Sequence, residues 1–187
     1  MFRKLNFILL ALIFTGNFCR AQKNDKRTEH HYFNDLSNAE NPGYWINLDT
    51  RKQDTLQPAN FYSATNSSRP YGLGFESGIP DDLKKKNIYM TIRAQLKVAD
   101  TNQHVLLVTD IRLRDSVVFW KGVNVAKNFG KNFVWTTVRD SLLLPSNLPP
   151  ASTIKIYIWN QDGINEVAFD DLDIRLTVPR IPSYLVY

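Results

Sequence analysis

From Ile88 to Val98 apolar and polar residues alternate without a break: Ile88, Met90, Ile92, Ala94, Leu96 and Val98 on one phase, Tyr89, Thr91, Arg93, Gln95 and Lys97 on the other. A period of two belongs to a strand; a helix would scatter these apolar side chains around its axis. A strand this long with one polar face fits an antiparallel sheet whose polar face meets water. The same alternation returns downstream. Val105, Leu107, Ile111 and Leu113 predict a second strand, and Val117 to Val125 and Phe133 to Leu144 two more, the last stopped by Pro145 to Pro150. Upstream, shorter strands are expected over His31–Leu36, Tyr44–Leu48, Phe61–Ser63 and Tyr71–Phe75, with Asp49–Pro58 and Thr65–Pro70 as loops. No segment carries helical spacing. The chain is therefore expected to be all-β, an antiparallel two-sheet β-sandwich of the jelly-roll kind.

Residues 153–178 are the densest stretch. Ile154, Ile156 and Ile158 share one strand face, Lys155, Tyr157 and Trp159 the other, and Asn160-Gln161-Asp162-Gly163 supplies residues that reverse a chain. This reads as a hairpin. In the return strand Val167 and Phe169 sit at odd positions but Leu172, Ile174 and Leu176 at even ones. The apolar face can stay on one side only if a β-bulge absorbs one residue near Asp170-Asp171.

Tyr157, Trp159 and Asn160 at the end of one strand, then Phe169, Asp170, Asp171, Leu172 and Ile174 in the next, resemble the last hairpin of jelly-roll modules in the galactose-binding-like superfamily, which includes the CenC-type carbohydrate-binding modules. Weaker echoes are Phe33-Asn34-Asp35, Trp135 with Val138, and Leu144-Pro145, so the similarity spans about residues 31–178. It implies a non-catalytic glycan-binding module. It also implies a structural calcium tying the first and last strands together, with Asp171 as a ligand and Asp35 as a further one.

The first 21 residues read as a secretory signal: Arg3 and Lys4, an apolar run from Phe7 to Phe14, and a cleavage point after Ala21. The run is shorter than the ~20 apolar residues of a membrane span. Cys19 raises the alternative of a lipid anchor, but Phe18 and Arg20 flank it where small residues are expected. Residues 22–30 read as a flexible leader, 31–178 as the β-sandwich domain and 179–187 as a C-terminal tail. That tail, ending Tyr184-Leu185-Val186-Tyr187, would dock on the sandwich or mark a partner surface. The expected location is secreted, periplasmic or cell-surface.

Of 23 basic residues the signal holds three and no acids, which leaves 20 against 18 in the mature chain. A near-balanced charge argues against a nucleic-acid partner, which needs a clustered basic face. The one cysteine lies in the signal, so the mature domain folds without disulfides, and its length allows that.

Nucleophilic catalysis finds no G-x-S-x-G elbow and no mature cysteine. His30 and His31 are adjacent and would face opposite sides of a strand, while His104 opens an apolar strand after a turn. An enzyme is not expected. Calcium takes six to eight oxygen ligands, and Asp170 and Asp171 beside Asn34 and Asp35 could supply several; the alternative is that the aspartates cap amides at the bulge. Sugar binding would rest on aromatic rings stacked on pyranose faces. Trp159 and Tyr157 lead, with Trp45, Trp120 and Tyr89 behind them, against the reading that these rings are core. A glycan is the first partner expected, an envelope protein the competing one.

Overall fold

The computed structural model describes residues 28–37, 39–40, 44–57 and 59–179. The expected signal, most of the expected leader and the expected tail beyond Pro179 lie outside them. Twelve strands follow in order: β1 (Glu29–Asn34), β2 (Ala39–Glu40), β3 (Tyr44–Ile46), β4 (Arg51–Gln53), β5 (Phe61–Thr65), β6 (Tyr71–Gly78), β7 (Tyr89–Val98), β8 (Val105–Leu113), β9 (Ser116–Asn124), β10 (Thr136–Leu143), β11 (Thr153–Asn160) and β12 (Val167–Thr177). They form two antiparallel sheets. Sheet one runs β10-β7-β12-β1-β2, with β5 also pairing β12 and β4 pairing β5; sheet two runs β3-β6-β11-β8-β9.

The alternation seen in the sequence is the alternation of burial. Met90, Ile92, Ala94, Leu96 and Val98 of β7 face Ile154, Ile156 and Ile158 of β11 in one core, with Leu73, Phe75, Phe169, Leu172, Ile174 and Leu176 between and around them. Each of these Val, Leu, Ile, Phe and Met side chains contributes about 1.5–3 kcal/mol when fully buried. At one margin a salt bridge crosses from sheet to sheet: the Lys121 ammonium on β9 meets both carboxylate oxygens of Asp140 on β10 at 2.8 Å.

The expected bulge is present. Opposite β7, Asp170 pairs with Gln95 but Asp173 with Arg93, so one extra residue is absorbed, and Asp171 takes a left-handed φ of 53°. Val167 and Phe169 before it and Leu172, Ile174 and Leu176 after it are all buried.

The expected hairpin is not. β11 pairs with β6 on one side and β8 on the other, while β12 pairs with β7, β1 and β5 in the opposite sheet. Both edges of β11 are occupied, so the Asn160–Gly163 reversal carries the chain across the sandwich instead of along a sheet. Asn160 holds that crossing. Its buried amide donates to the Asn165 carbonyl at 2.7 Å and to Thr65 Oγ1 at 3.2 Å, and its Oδ1 accepts the Gly163 amide, where φ is +64°.

Other boundaries move for local reasons. Strand β1 starts at Glu29, not His31, because pairing with β12 extends to Glu29–Thr177, so the end of the expected leader belongs to the sheet. Asp49–Pro58 is not all loop: a 3-10 turn at Leu48–Thr50 leads into β4, whose three side chains are exposed and so leave no apolar alternation to read. Strand β10 begins only at Thr136, after Phe133 with φ 59°.

Candidate functional site

The outward face of sheet two carries the aromatic cluster. Register sets its rows: Tyr157 lies between Gly74 on β6 and Val108 on β8, Trp159 between Tyr71 and Leu106, and Lys155 between Glu76 and Asp110, with Trp120 beyond Asp110 on β9. Tyr71 stacks on Trp159 at 6.0 Å between centroids and meets Tyr157 edge-on at 5.7 Å. Tyr71 and Trp120 are both nearly half exposed. The rings are thus partly packed on each other and partly free.

Gly74 lies between Ile46 and Tyr157. A Cβ there would fall 2.9 Å from Ile46 Cγ1 and 3.0 Å from Tyr157 Cβ, so only a glycine lets these side chains flank the backbone so closely. Trp120 lies back along its own strand, its Cη2 2.5 Å from where a Cβ of Gly122 would sit. Burial pushes the Tyr157 phenol up, partly offset by the Trp120 indole nearby.

Beside the rings is a cleft of about 320 Å³ lined by Tyr71, Tyr157, Asn47, Lys155, Asp110 and Arg112. Its polar groups are held in place from below. Arg112 Nε donates to Asp110 Oδ2 at 2.8 Å, a bond that holds the guanidinium more firmly protonated than usual. Asp110 is 2% exposed, and its Oδ1 has no hydrogen-bond partner among the described residues. Lys155 pairs with Glu76 at 2.9 Å, and the Asn47 amide donates to the Gly72 carbonyl at 2.9 Å. Such an arrangement offers ring faces for apolar sugar surfaces and preset donors for hydroxyls.

The five aromatic candidates therefore divide. Tyr157, Trp159 and Trp120 come together. Trp45 points inward, its ring edge-on to Phe75 at 5.3 Å and packed against the core. Tyr89 is on the outward face of the other sheet, opposite Leu143 and Thr177. Sequence reasoning missed Tyr71, Asn47, Asp110 and Arg112. The last two carry a signal, acid and base two residues apart on one polar phase; Tyr71 and Asn47 join through long-range pairing and carry none.

The acidic candidates also divide. Asp35, Asp170 and Asp171 line a second cleft of about 240 Å³ with Ser37 and Asn60. Asn34 does not reach it, since its buried Oδ1 accepts the Leu36 amide at 2.7 Å. Asp35 Oδ1 accepts the Ser37 amide and Asp170 Oδ1 the Asp171 amide, both at 2.8 Å, so amide capping accounts for part of their chemistry. Burial raises Asp170 to about 7, with Asp171 and Asp35 adding repulsion, and burial and Asp35 raise Asp171 against the pull of Arg93. The lining is oxygen-rich, which suits a hard cation in kind. Among the described residues, however, no three His, Cys, Asp or Glu side chains form a group that could hold a metal ion.

No family model matches this chain, and no curated protein matches it. Solved structures of similar shape exist. The CBM22-2 xylan-binding domain of Paenibacillus barcinonensis Xyn10C is 13% identical, covering 79% of this chain and 98% of its own, at a TM-score of 0.47. The CBM22-1 xylan-binding domain of the same protein is 14% identical over 79% of this chain and 94% of its own, at 0.45. The infectious bursal disease virus VP2 subviral particle is 12% identical over 81% of this chain and 33% of its own, at 0.46. Among the described residues no helix is long and apolar enough to cross a membrane.

Each histidine contacts an aspartate. His30 meets Asp82 at 2.8 Å, His31 meets Asp173 at 3.1 Å, and His104 meets Asp162 at 3.1 Å. His30 and His31 are neighbours on β1, and His104 lies just before β8.

Proposed function

We propose that this protein is a secreted, non-catalytic glycan-binding module of the CenC type, and that the outward face of sheet two is its binding face. One observation carries the reading: Tyr71 and Tyr157 share a cleft with a guanidinium that a buried carboxylate holds in place. Tyr157, Trp159 and Tyr71 would stack on sugar rings, with Trp120 at the margin. Arg112 and Lys155 would donate to hydroxyls. The cleft contains one carboxylate, Asp110, tied to Arg112, whereas glycoside hydrolysis uses a pair about 5–10 Å apart. That favours binding over cleavage.

The test is affinity electrophoresis of the purified protein through gels containing single neutral polysaccharides, xylan and β-glucans among them. Retardation by one polysaccharide, reversed by Tyr157→Ala with an unchanged unfolding midpoint, is expected. Retardation that survives Tyr157→Ala, Trp159→Ala and Tyr71→Ala would remove the site. No retardation by any polysaccharide, with an envelope protein captured through the same face, would establish the competing reading. The mass of the exported protein reports secretion, an N-terminus at Gln22 being the expected result.

A structural calcium is the second part of the proposal. Asp171 would hold it with Asp35 and with carbonyl or water oxygens, and its charge would offset the repulsion from these two that adds to burial at Asp170. Its expected sign is a rise in the unfolding midpoint with calcium, by mass action, that Asp171→Ala abolishes.

A further inference from the structure

We propose that the outward face of sheet one holds a second site, for an anionic saccharide, which an arginine cluster grips through a carboxylate or a sulfate ester. Three neighbouring strands supply it. Arg139 on β10 is directly opposite Arg93 on β7, which is opposite Asp173 on β12; in the next row Ser141, Thr91 and Arg175 are partners. These residues, with Tyr89, line a cleft of about 580 Å³, larger than the one on sheet two.

Charge is what sets this cleft apart. Like charges directly opposite on neighbouring strands repel, so an Arg93–Arg139 pair is a local cost unless something negative offsets it. Asp173 offsets part of it. Its carboxylate is mostly buried and lies 3.7 Å from Arg93, 3.4 Å from Arg175 Nε and 3.1 Å from His31, while Arg175 also reaches Glu29 at 3.1 Å. Asp140, the other acid in the lining, is committed to Lys121. The Arg139 side chain has no ion pair or hydrogen bond among the described residues. The cleft thus keeps an uncompensated guanidinium beside two partly compensated ones.

Guanidinium forks match the paired oxygens of carboxylates and sulfates, and charge-assisted bonds are stronger than neutral ones. Thr91 and Ser141 add hydroxyls, and Tyr89 presents a partly exposed ring at the end of the row. Hydroxyls, a ring face and cations in an open groove suit a charged sugar chain. The site is on the opposite side of the sandwich from Tyr157, so it stands or falls separately from the neutral-glycan reading.

The experiment measures binding of the purified protein to dextran sulfate, polygalacturonate and uncharged dextran, at low and high salt. Expected is binding to at least one anionic polymer and none to dextran, weakened by salt. Arg139→Gln with Arg93→Gln should lower that affinity about tenfold or more. Arg114→Gln with Lys127→Gln, the same change in net charge at connections of sheet two, should change it by less than about twofold. The two anionic polymers separate sulfate from carboxylate. Arg139→Gln alone, at an exposed side chain, keeps the test valid should the double variant fold poorly. Equal losses in both double variants would reduce the effect to net charge and overturn the site. So would failure of both anionic polymers to bind, or arginine-dependent binding of polyglutamate in their place.

Discussion

The two outward faces of this sandwich share one core and differ in almost everything else. On sheet two the surface is aromatic, its charges are paired as Asp110 with Arg112 and Glu76 with Lys155, and a glycine lets Ile46 and Tyr157 approach the backbone closely. On sheet one the corresponding surface is a row of arginines around a single mostly buried aspartate. A strand's inward residues must satisfy packing against the facing sheet, but its outward residues answer only to their neighbours on the same face. One scaffold can therefore carry two unrelated surfaces.

The comparison breaks first if the core is disturbed. Ile156→Ala, between the two faces, should cost about 2–5 kcal/mol and lower ligand binding on both sides together, measured by denaturant unfolding and by binding at a fixed temperature. Loss on one face alone would mean that the faces are not carried by a common core. Gly74→Val is sharper. Its side chain meets Ile46 and Tyr157, so a destabilisation of about 1–3 kcal/mol is expected, with neutral-glycan binding lost and anionic binding kept.

Tyr157→Ala should weaken neutral-glycan affinity by about 0.5–1.5 kcal/mol and leave dextran sulfate untouched, which calorimetry with both ligands can decide. The smallest effect concerns the bulge, since Asp170 is only partly buried and solvent screens it. Its carboxyl titrates near 7 in the folded protein against about 4 in the unfolded chain, so the unfolded state ionises first as pH rises. Stability from this group is full below pH ~4 and declines until pH ~7. In chelator, the unfolding midpoint of the wild type should therefore fall across that window relative to Asp170→Asn. Identical slopes would mean that Asp170 titrates normally.

Much of this was legible beforehand. Strand β7 could be read residue by residue because one of its faces is core and the other is wet. The bulge at Asp170-Asp171 was legible because it is the sole way to reconcile Phe169 with Leu172. The β11–β12 hairpin was misread, since an Asn-Gln-Asp-Gly reversal has the same composition whether it joins neighbours in one sheet or crosses between two. Strand β4 was invisible because its side chains are exposed. Of the candidate sites, Tyr157 and Trp159 were found through their shared phase, but Tyr71 reaches them only through the β6–β11 pairing, and Trp45 proved to be on the inward phase of β3.

What the chain's own pattern determined is local: which residues face inward, where the phase must slip, and where the backbone turns. These follow from side-chain periodicity and from the conformations that Gly, Asn and Pro permit, which act over a few residues. Which sheet each strand joined, and so which outward residues became neighbours, was decided by the tertiary structure. Backbone hydrogen bonds between strands are nearly blind to side-chain identity, and the choice among partners is made by the packing of the whole core at once.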